Sequence, residues 1–155
     1  WTDQSSNADG SSYGVYARRF DASGAASGVQ FLVNSASTSS TQEQPAIGAF
    51  AGGGYVITWQ SSATLATGGD GSGYGVYAQR FNTDGTPVGA LFRANTTTSG
   101  SQYESDVATH VDGSFVVSWR SDGQDGSGAG VYFQRFDASA NKLGPETLAT
   151  TLTGE

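Results

Sequence analysis

The residues best placed to do chemistry are the acids of three glycine-rich loops. Asp9-Gly10-Ser11, Asp70-Gly71-Ser72 and Asp125-Gly126-Ser127 each precede a recurring glycine by the same interval, and two of the loops carry a further acid upstream, Asp3 and Asp122. Calcium is a hard cation that takes six to eight oxygens, which aspartates and glycine-rich backbone carbonyls can supply. Asp3, Asp9, Asp70, Asp122 and Asp125 are therefore the candidate Ca2+ ligands. The fullest loop is Ser121-Asp122-Gly123-Gln124-Asp125-Gly126-Ser127, whereas the stretch from Gln60 to Gly73 is longer and holds a single acid. A plainer reading takes precedence: Asp-Gly makes a turn, the carboxylate accepting from the backbone two residues on.

Arginine is the second chemistry-bearing type. Only seven basic residues are present, yet Arg19, Arg80 and Arg135 fall at equivalent places in three similar segments. A guanidinium can grip a carboxylate or sulfate through a bidentate fork. It can equally tie one repeat to the next through a carbonyl or an Asp. Return in every copy fits the tie better, because ligand sites on one domain are few.

Catalytic arrangements fail on inventory. His110 is the single histidine, stands where another copy has Phe50, and lacks a Ser or Cys partner in a recognisable motif. It reads as a half-buried strand residue. Glu104 and Asp106 could be paired as glycosidase carboxylates, but neighbouring acids on one strand face are ordinarily solvated. The chain reads as a non-enzyme.

The elements that position these residues form an internal repeat. The run from Tyr13 to Asp21 returns at Tyr74 to Asn82 and at Ala129 to Asp137. Gly54 to Trp59 matches Ser114 to Trp119, and Trp1 reads as the last residue of the same strand in a preceding, truncated copy. Phe31 to Asn34 echoes Phe92 to Asn95 and, more weakly, Thr147 to Thr150. The spacings from Trp1 to Trp59 and from Trp59 to Trp119 are 58 and 60 residues. Strand-like runs lie at Ser105–Val111, Ser114–Trp119 and Gly130–Phe136, with a fourth, like Leu91–Asn95, entering the next unit. They are rich in Val, Tyr, Phe and Thr, which suit a pleated surface, and Asp84-Gly85, Asp112-Gly113 and Asp122 to Gly128 supply the turns.

The expected fold is all-β, with propeller-like four-stranded blades in about two and a half repeats. A sandwich-like or solenoid stack is second. The divisions are 1–43 for a truncated blade, 44–102 for the second repeat and 103–155 for an incomplete third. Propellers close with roughly four to eight blades, so this is an incomplete ring. The remainder of a longer polypeptide, or else further copies, is expected to complete it.

Composition agrees and excludes other classes. At 36% apolar and 14% charged residues with 23 glycines, the chain is too polar for a helical bundle and too rich in aromatics for disorder. A net charge of −7 disfavours nucleic acid as a partner. Absence of cysteine removes disulfides and thiolate metal sites. No apolar run approaches the ~20 residues of a membrane helix, so no membrane insertion is expected. Trp1, Trp59 and Trp119, with Tyr16, Tyr77, Tyr132, Phe20, Phe81 and Phe136, hold equivalent strand positions, which fits burial between blades better than sugar platforms.

The run Asp70 to Asn82, with Gly113 to Trp119, resembles tandem repeats of giant secreted or surface proteins of Gram-negative bacteria and cyanobacteria. Those proteins often also carry haemolysin-type calcium-binding nonapeptides or cadherin-like domains. The resemblance extends over nearly the whole chain. It implies export, an extracellular or cell-surface location, a modular architecture and a structural or adhesive role, and does not imply a defined ligand or any catalytic residue; surface polysaccharide is a separate candidate partner. The nonapeptide glycine-glycine-x-glycine-x-aspartate is absent, so that mode of calcium binding does not carry over. A carbohydrate-binding, lectin-like propeller is the alternative.

Overall fold

The computed structural model describes residues 1–4, 13–36, 38, 41–62, 72–126 and 128–149, and among them the chain is all β-strand and turn, without helix. The first sheet holds β1 (Thr2–Asp3), β2 (Gly14–Ala17) and β3 (Phe31–Leu32). The second holds β4 (Gln42–Ala49), β5 (Tyr55–Ser61), β6 (Gly75–Phe81) and β7 (Pro87–Arg93). The third holds β8 (Gln102–Thr109), β9 (Phe115–Asp122), β10 (Ala129–Phe136) and β11 (Thr147–Leu148). Each is an antiparallel meander in chain order, and none closes into a barrel.

The fourth strand differs from expectation. It does not enter the next unit; β7 pairs with β6 and completes its own sheet. The intervening turn forces this return: the Asp84 carboxylate accepts from the Thr86 amide at 2.9 Å and its hydroxyl at 2.7 Å. Gly85 there takes φ +87°, a conformation that disfavours any side chain. The second and third sheets begin at Gln42 and Gln102, just ahead of the divisions at 44 and 103.

Strand periodicity sorts the recurring residues onto opposite faces. Trp59 lies opposite Tyr77, and Trp119 opposite Tyr132, in the same register. One buried cluster joins Val15 and Val33 of the first sheet to Ile57, Trp59, Tyr77, Phe81 and Leu91 of the second. The next joins Val56, Val76, Ala78 and Ala94 of the second to Phe115, Val117, Trp119, Tyr132 and Phe136 of the third. Each sheet thus offers Val and Ala, flanked by Phe31 in the first sheet and by Phe50 and Phe92 in the second, to the sheet that follows, and a Trp, Tyr and Phe set to the sheet that precedes. Tyr55 stacks on Phe81 at 5.4 Å, and Phe115 on Phe136 at 4.9 Å. The first strands also approach closely: a Cβ at Gly48 of β4 would sit 2.8 Å from Thr109 Cγ2 of β8.

Two polar devices repeat across these joints. The Asn34 side-chain oxygen accepts from the Val15 amide at 2.8 Å while its NH2 donates to Gln42 Oε1 at 3.0 Å. Asn95 does the same with Val76 at 2.9 Å and Gln102 at 2.9 Å. All four side chains are buried. The second device is a bulge, between Glu43 and Ala46 in β4 and between Tyr103 and Asp106 in β8. Gln44 and Glu104 take φ +52° and +55° there. Their amides, turned out of the ladder, donate to the preceding sheet, at Thr2 Oγ1 (3.2 Å) and Gln60 Oε1 (3.0 Å).

Asn95→Ala strands a buried amide on β6 and a buried glutamine oxygen on β8. The expected loss is about 2–4 kcal/mol in urea unfolding; a loss below about 1 kcal/mol would show that the clasp is not what holds the sheets together.

Candidate functional site

The meander places the tight turns at residues 50–54, 82–86, 110–114 and 137–141 at one end of the sheets and the described connections between sheets, with the segment after β9, at the other. At the loop end, the segment after β9 closes on itself: Gly123 donates to the Gly128 carbonyl and Gly126 to the Gly123 carbonyl. Asp122 accepts from the Tyr103 hydroxyl at 2.8 Å and lies 3.8 Å from Arg120 Nε. Asp125 is half-buried beside Gly130, and Asp3 sits in β1 opposite Gly14. Asp9, Asp70 and Ser127 lie outside the described residues. Among the described residues no three His, Cys, Asp or Glu side chains gather where they could hold a metal.

A residue that sequence reasoning missed binds this end together. Glu146 accepts from the Thr96 amide at 2.6 Å, the Thr97 amide at 3.0 Å, the Thr97 hydroxyl, and Gln124 Nε2 at 2.7 Å. Lys142 adds bonds to the Asn95 carbonyl at 3.1 Å and Thr96 Oγ1 at 2.8 Å. Together they strap the connection after β7 to the third sheet. The available signal was a break in the repeat: by the pairing of β6 with β7 and of β10 with β11, Glu146 stands where Leu91 stands. Burial opposes ionisation of Glu146, but the Thr97 hydroxyl, the two threonine amides and Gln124 outweigh it and hold its carboxyl below the ordinary value.

At the turn end, Arg19 Nη1 donates to the Thr83 carbonyl at 3.1 Å, reaching from the first sheet to the β6–β7 turn of the second. Arg80 lays its guanidinium over the Phe50 ring at 5.3 Å and lies within electrostatic reach of Asp137 in the third sheet's turn. Arg135, in the third sheet, is exposed. Trp59 and Trp119 are buried in the joints, whereas Trp1 is half-exposed and stacks on Tyr16 at 6.2 Å. A cleft of about 520 Å³ between the first two sheets is lined by Arg18, Arg19, Phe20, Ile47, Phe50 and Tyr55. It opens there because the first sheet, among the described residues, has no counterpart of β4 and its β1 is two residues long.

His110 corrects an expectation. It is not a half-buried strand residue; it is exposed in the turn after β8, with Nδ1 3.0 Å from Asp112 Oδ1. The turn closes through the Gly113 amide on the His110 carbonyl, which lifts the residue off the strand. Glu104 and Asp106 have separate tasks: Glu104 occupies the bulge, 4.0 Å from Arg120, and Asp106 accepts from the Val107 amide. Compared with known proteins, the chain matches no family model and no curated sequence.

The turn acids share one electrostatic fate. Asp112 is lowered to about 2, first by the Ser114 hydroxyl, then by its amide and by His110. Asp21, Asp84 and Asp137 are also lowered, foremost by Ser23, Thr86 and Asn141 respectively. A carboxyl held below its unfolded value stabilises the fold above about pH 4, and that contribution disappears as pH falls through the folded value. Thermal unfolding is therefore expected to give a Tm that is flat above about pH 5 and declines from about 4 downward. A Tm unchanged down to about pH 2 would show that these turn bonds add nothing to stability.

Proposed function

We propose that the chain is a non-catalytic structural and adhesive repeat module of a large exported bacterial protein. Its sheets are read as four-stranded blades of a propeller-like array, an incomplete ring in this chain, acting outside the cell or at its surface. The observation that carries this reading is the joint between sheets, built twice from the same parts: aliphatic residues against a Trp, Tyr and Phe set, an Asn–Gln clasp and a bulge amide. A joint that repeats with its residue types is how an extended array is propagated, each unit covering its neighbour. The sequence resemblance supplies the export and the adhesive role.

This arrangement favours adhesion through an extended surface over a lectin. Trp59, Trp119, Tyr77, Tyr132, Phe81 and Phe136 are all buried in the joints and unavailable as sugar platforms. The loop end and the turn end are left to make contact. Calcium enters the same reading as a stabiliser of the Asp-Gly-Ser loops, supported by the recurrence of Asp9, Asp70 and Asp125 ahead of one glycine position.

The test is retention of Gram-negative cell envelopes and purified surface polysaccharide on beads carrying the chain. Retention without shortening of the polysaccharide is the expected result. Release by a simple monosaccharide would favour the lectin, depolymerisation would reveal an enzyme, and no retention removes the adhesive role. In parallel, Tm is measured with calcium and with a chelator. A ligand that binds only the folded state raises Tm with its concentration, so coincident curves would remove calcium from the proposal.

A further inference from the structure

At the joint between the second and third sheets, one of the recurring arginines lacks the bond that its counterpart makes. Arg19 donates through Nη1 to the Thr83 carbonyl of the neighbouring turn at 3.1 Å. Arg80 holds the same place one repeat on, and by strand position the matching carbonyl is that of Ala138. Among the described residues its guanidinium donates to no acceptor, and Nε is buried without one. It lies instead over the Phe50 ring at 5.3 Å. One residue accounts for the difference. The turn that Arg19 reaches carries Gly85, where a Cβ would sit 3.3 Å from Arg19 Nε and 3.4 Å from Phe31 Cε1. The turn facing Arg80 carries Ala140 at that position, with φ +65°, and its methyl packs against the cluster that joins the two sheets. That methyl takes the space through which the guanidinium would reach the turn.

Beside this arginine lies a cavity of about 380 Å³ lined by Arg80, Val88, Ala90, Phe92, Ser139 and Ala140. Both walls belong to sheets joined inside the chain, β6 and β7 on one side and the turn after β10 on the other. The β6–β7 pairing shifts register between Ala78 and Arg80, and the extra residues of β7 around Gly89 form part of the wall. Such bulges re-aim side chains beside binding sites. The volume falls at the small end of ligand sites, roughly 300–1,000 Å³. Asp137 adjoins the cavity, but its oxygens accept from Ser139 and Asn141 of its own turn, so Arg80 keeps its donors. We infer that this cavity takes the carboxylate of an acidic sugar, a uronate unit, with Arg80 as the fork that holds it. A half-buried guanidinium with its hydrogen bonds unmade is matched best by a planar carboxylate. Val88, Ala90 and Phe92 suit the C–H face of a sugar ring. The inference rests on the reading above that the chain holds surface polysaccharide, and it names the kind. Asp137 weakens the pull on an anion, and one partly exposed ion pair contributes little, so a single unit binds with a constant on the order of 1 mM.

The experiment is a nitrogen–proton NMR titration of the 155-residue chain with sodium glucuronate, and with glucose and inorganic sulfate for comparison. The signals followed are Arg80 Nε–H and the amides of Ala90, Ser139 and Ala140. Glucuronate is expected to move them to saturation, sulfate to move them less, and glucose to leave them in place. Arg80→Gln is expected to abolish the response. Ala140→Gly is expected to weaken it about tenfold or more, because Arg80 can then bond the Ala138 carbonyl, and a charge-assisted hydrogen bond must break before the sugar enters. Circular dichroism is expected to show both variants folded. The inference is overturned by still signals at about 100 mM glucuronate, far above the expected constant. An equal response to glucose or sulfate, or a response unchanged in either variant, overturns it as well. If glucuronate fails while cell envelopes are still retained, this site alone has failed; if it binds while nothing is retained, the adhesive reading has failed instead.

Discussion

The structure depends on a buried amide that must give and take at once. Asn95 accepts from the Val76 amide on β6 and donates to Gln102 at the start of β8, and Asn34 repeats this between β2 and β4. An aspartate at that place could accept but not donate, and a leucine could do neither. Each stranded partner would cost about 1–3 kcal/mol, because it is buried away from water. The clasp also sets the geometry of the chain. It follows the last strand of one sheet and holds the first strand of the next within seven or eight residues, 95 to 102 and 34 to 42. A connection of that length can only lead to an adjacent sheet.

Once adjacent sheets are held in this way, their faces must differ. Small aliphatic side chains on one side leave room for Trp, Tyr and Phe from the neighbour, and the bulge amides at Gln44 and Glu104 reach across at a level where β-ladder partners are missing. The result is a stack with direction. Every joint places the same residue types on the same sides, and no sheet could bury its own aromatic face alone. Gly48 belongs to this logic, since any Cβ there would collide with β8.

Much of this was legible because the joint is written in residues that recur visibly. The matching Trp, Tyr and Phe positions give the strands, and period-two alternation sorts them to one face. What stayed hidden has physical causes. Strand β4, expected only through its likeness to the run Ser105–Val111, has bounds its own residues do not mark: Pro45, Gly48 and two glutamines give it little β-propensity, and it is held as a strand by pairing with β5 and packing on β8. The Asn–Gln clasp was visible only as an echo, Asn34 and Asn95, since its partners lie 19 residues back and seven or eight ahead. Glu146 was hidden in a weak copy of the repeat, where only a carboxylate in place of Leu91 marked it. His110 was misplaced because its match to Phe50 was read as a strand position when both stand at the edge of a turn.

The acidity of the chain also acquires a different meaning. Read as composition, a net charge of −7 invites a search for a cation. In the structure much of that acidity is turn chemistry: Asp21, Asp84, Asp112 and Asp137 accept from hydroxyls and amides of their own turns, and Glu146 straps two sheets. A carboxylate is used there because it accepts several hydrogen bonds at once and holds its charge while doing so. An uncharged acceptor could make the bonds but with about half the strength. Part of the acid in this chain is thus the consequence of joining many short strands by tight turns.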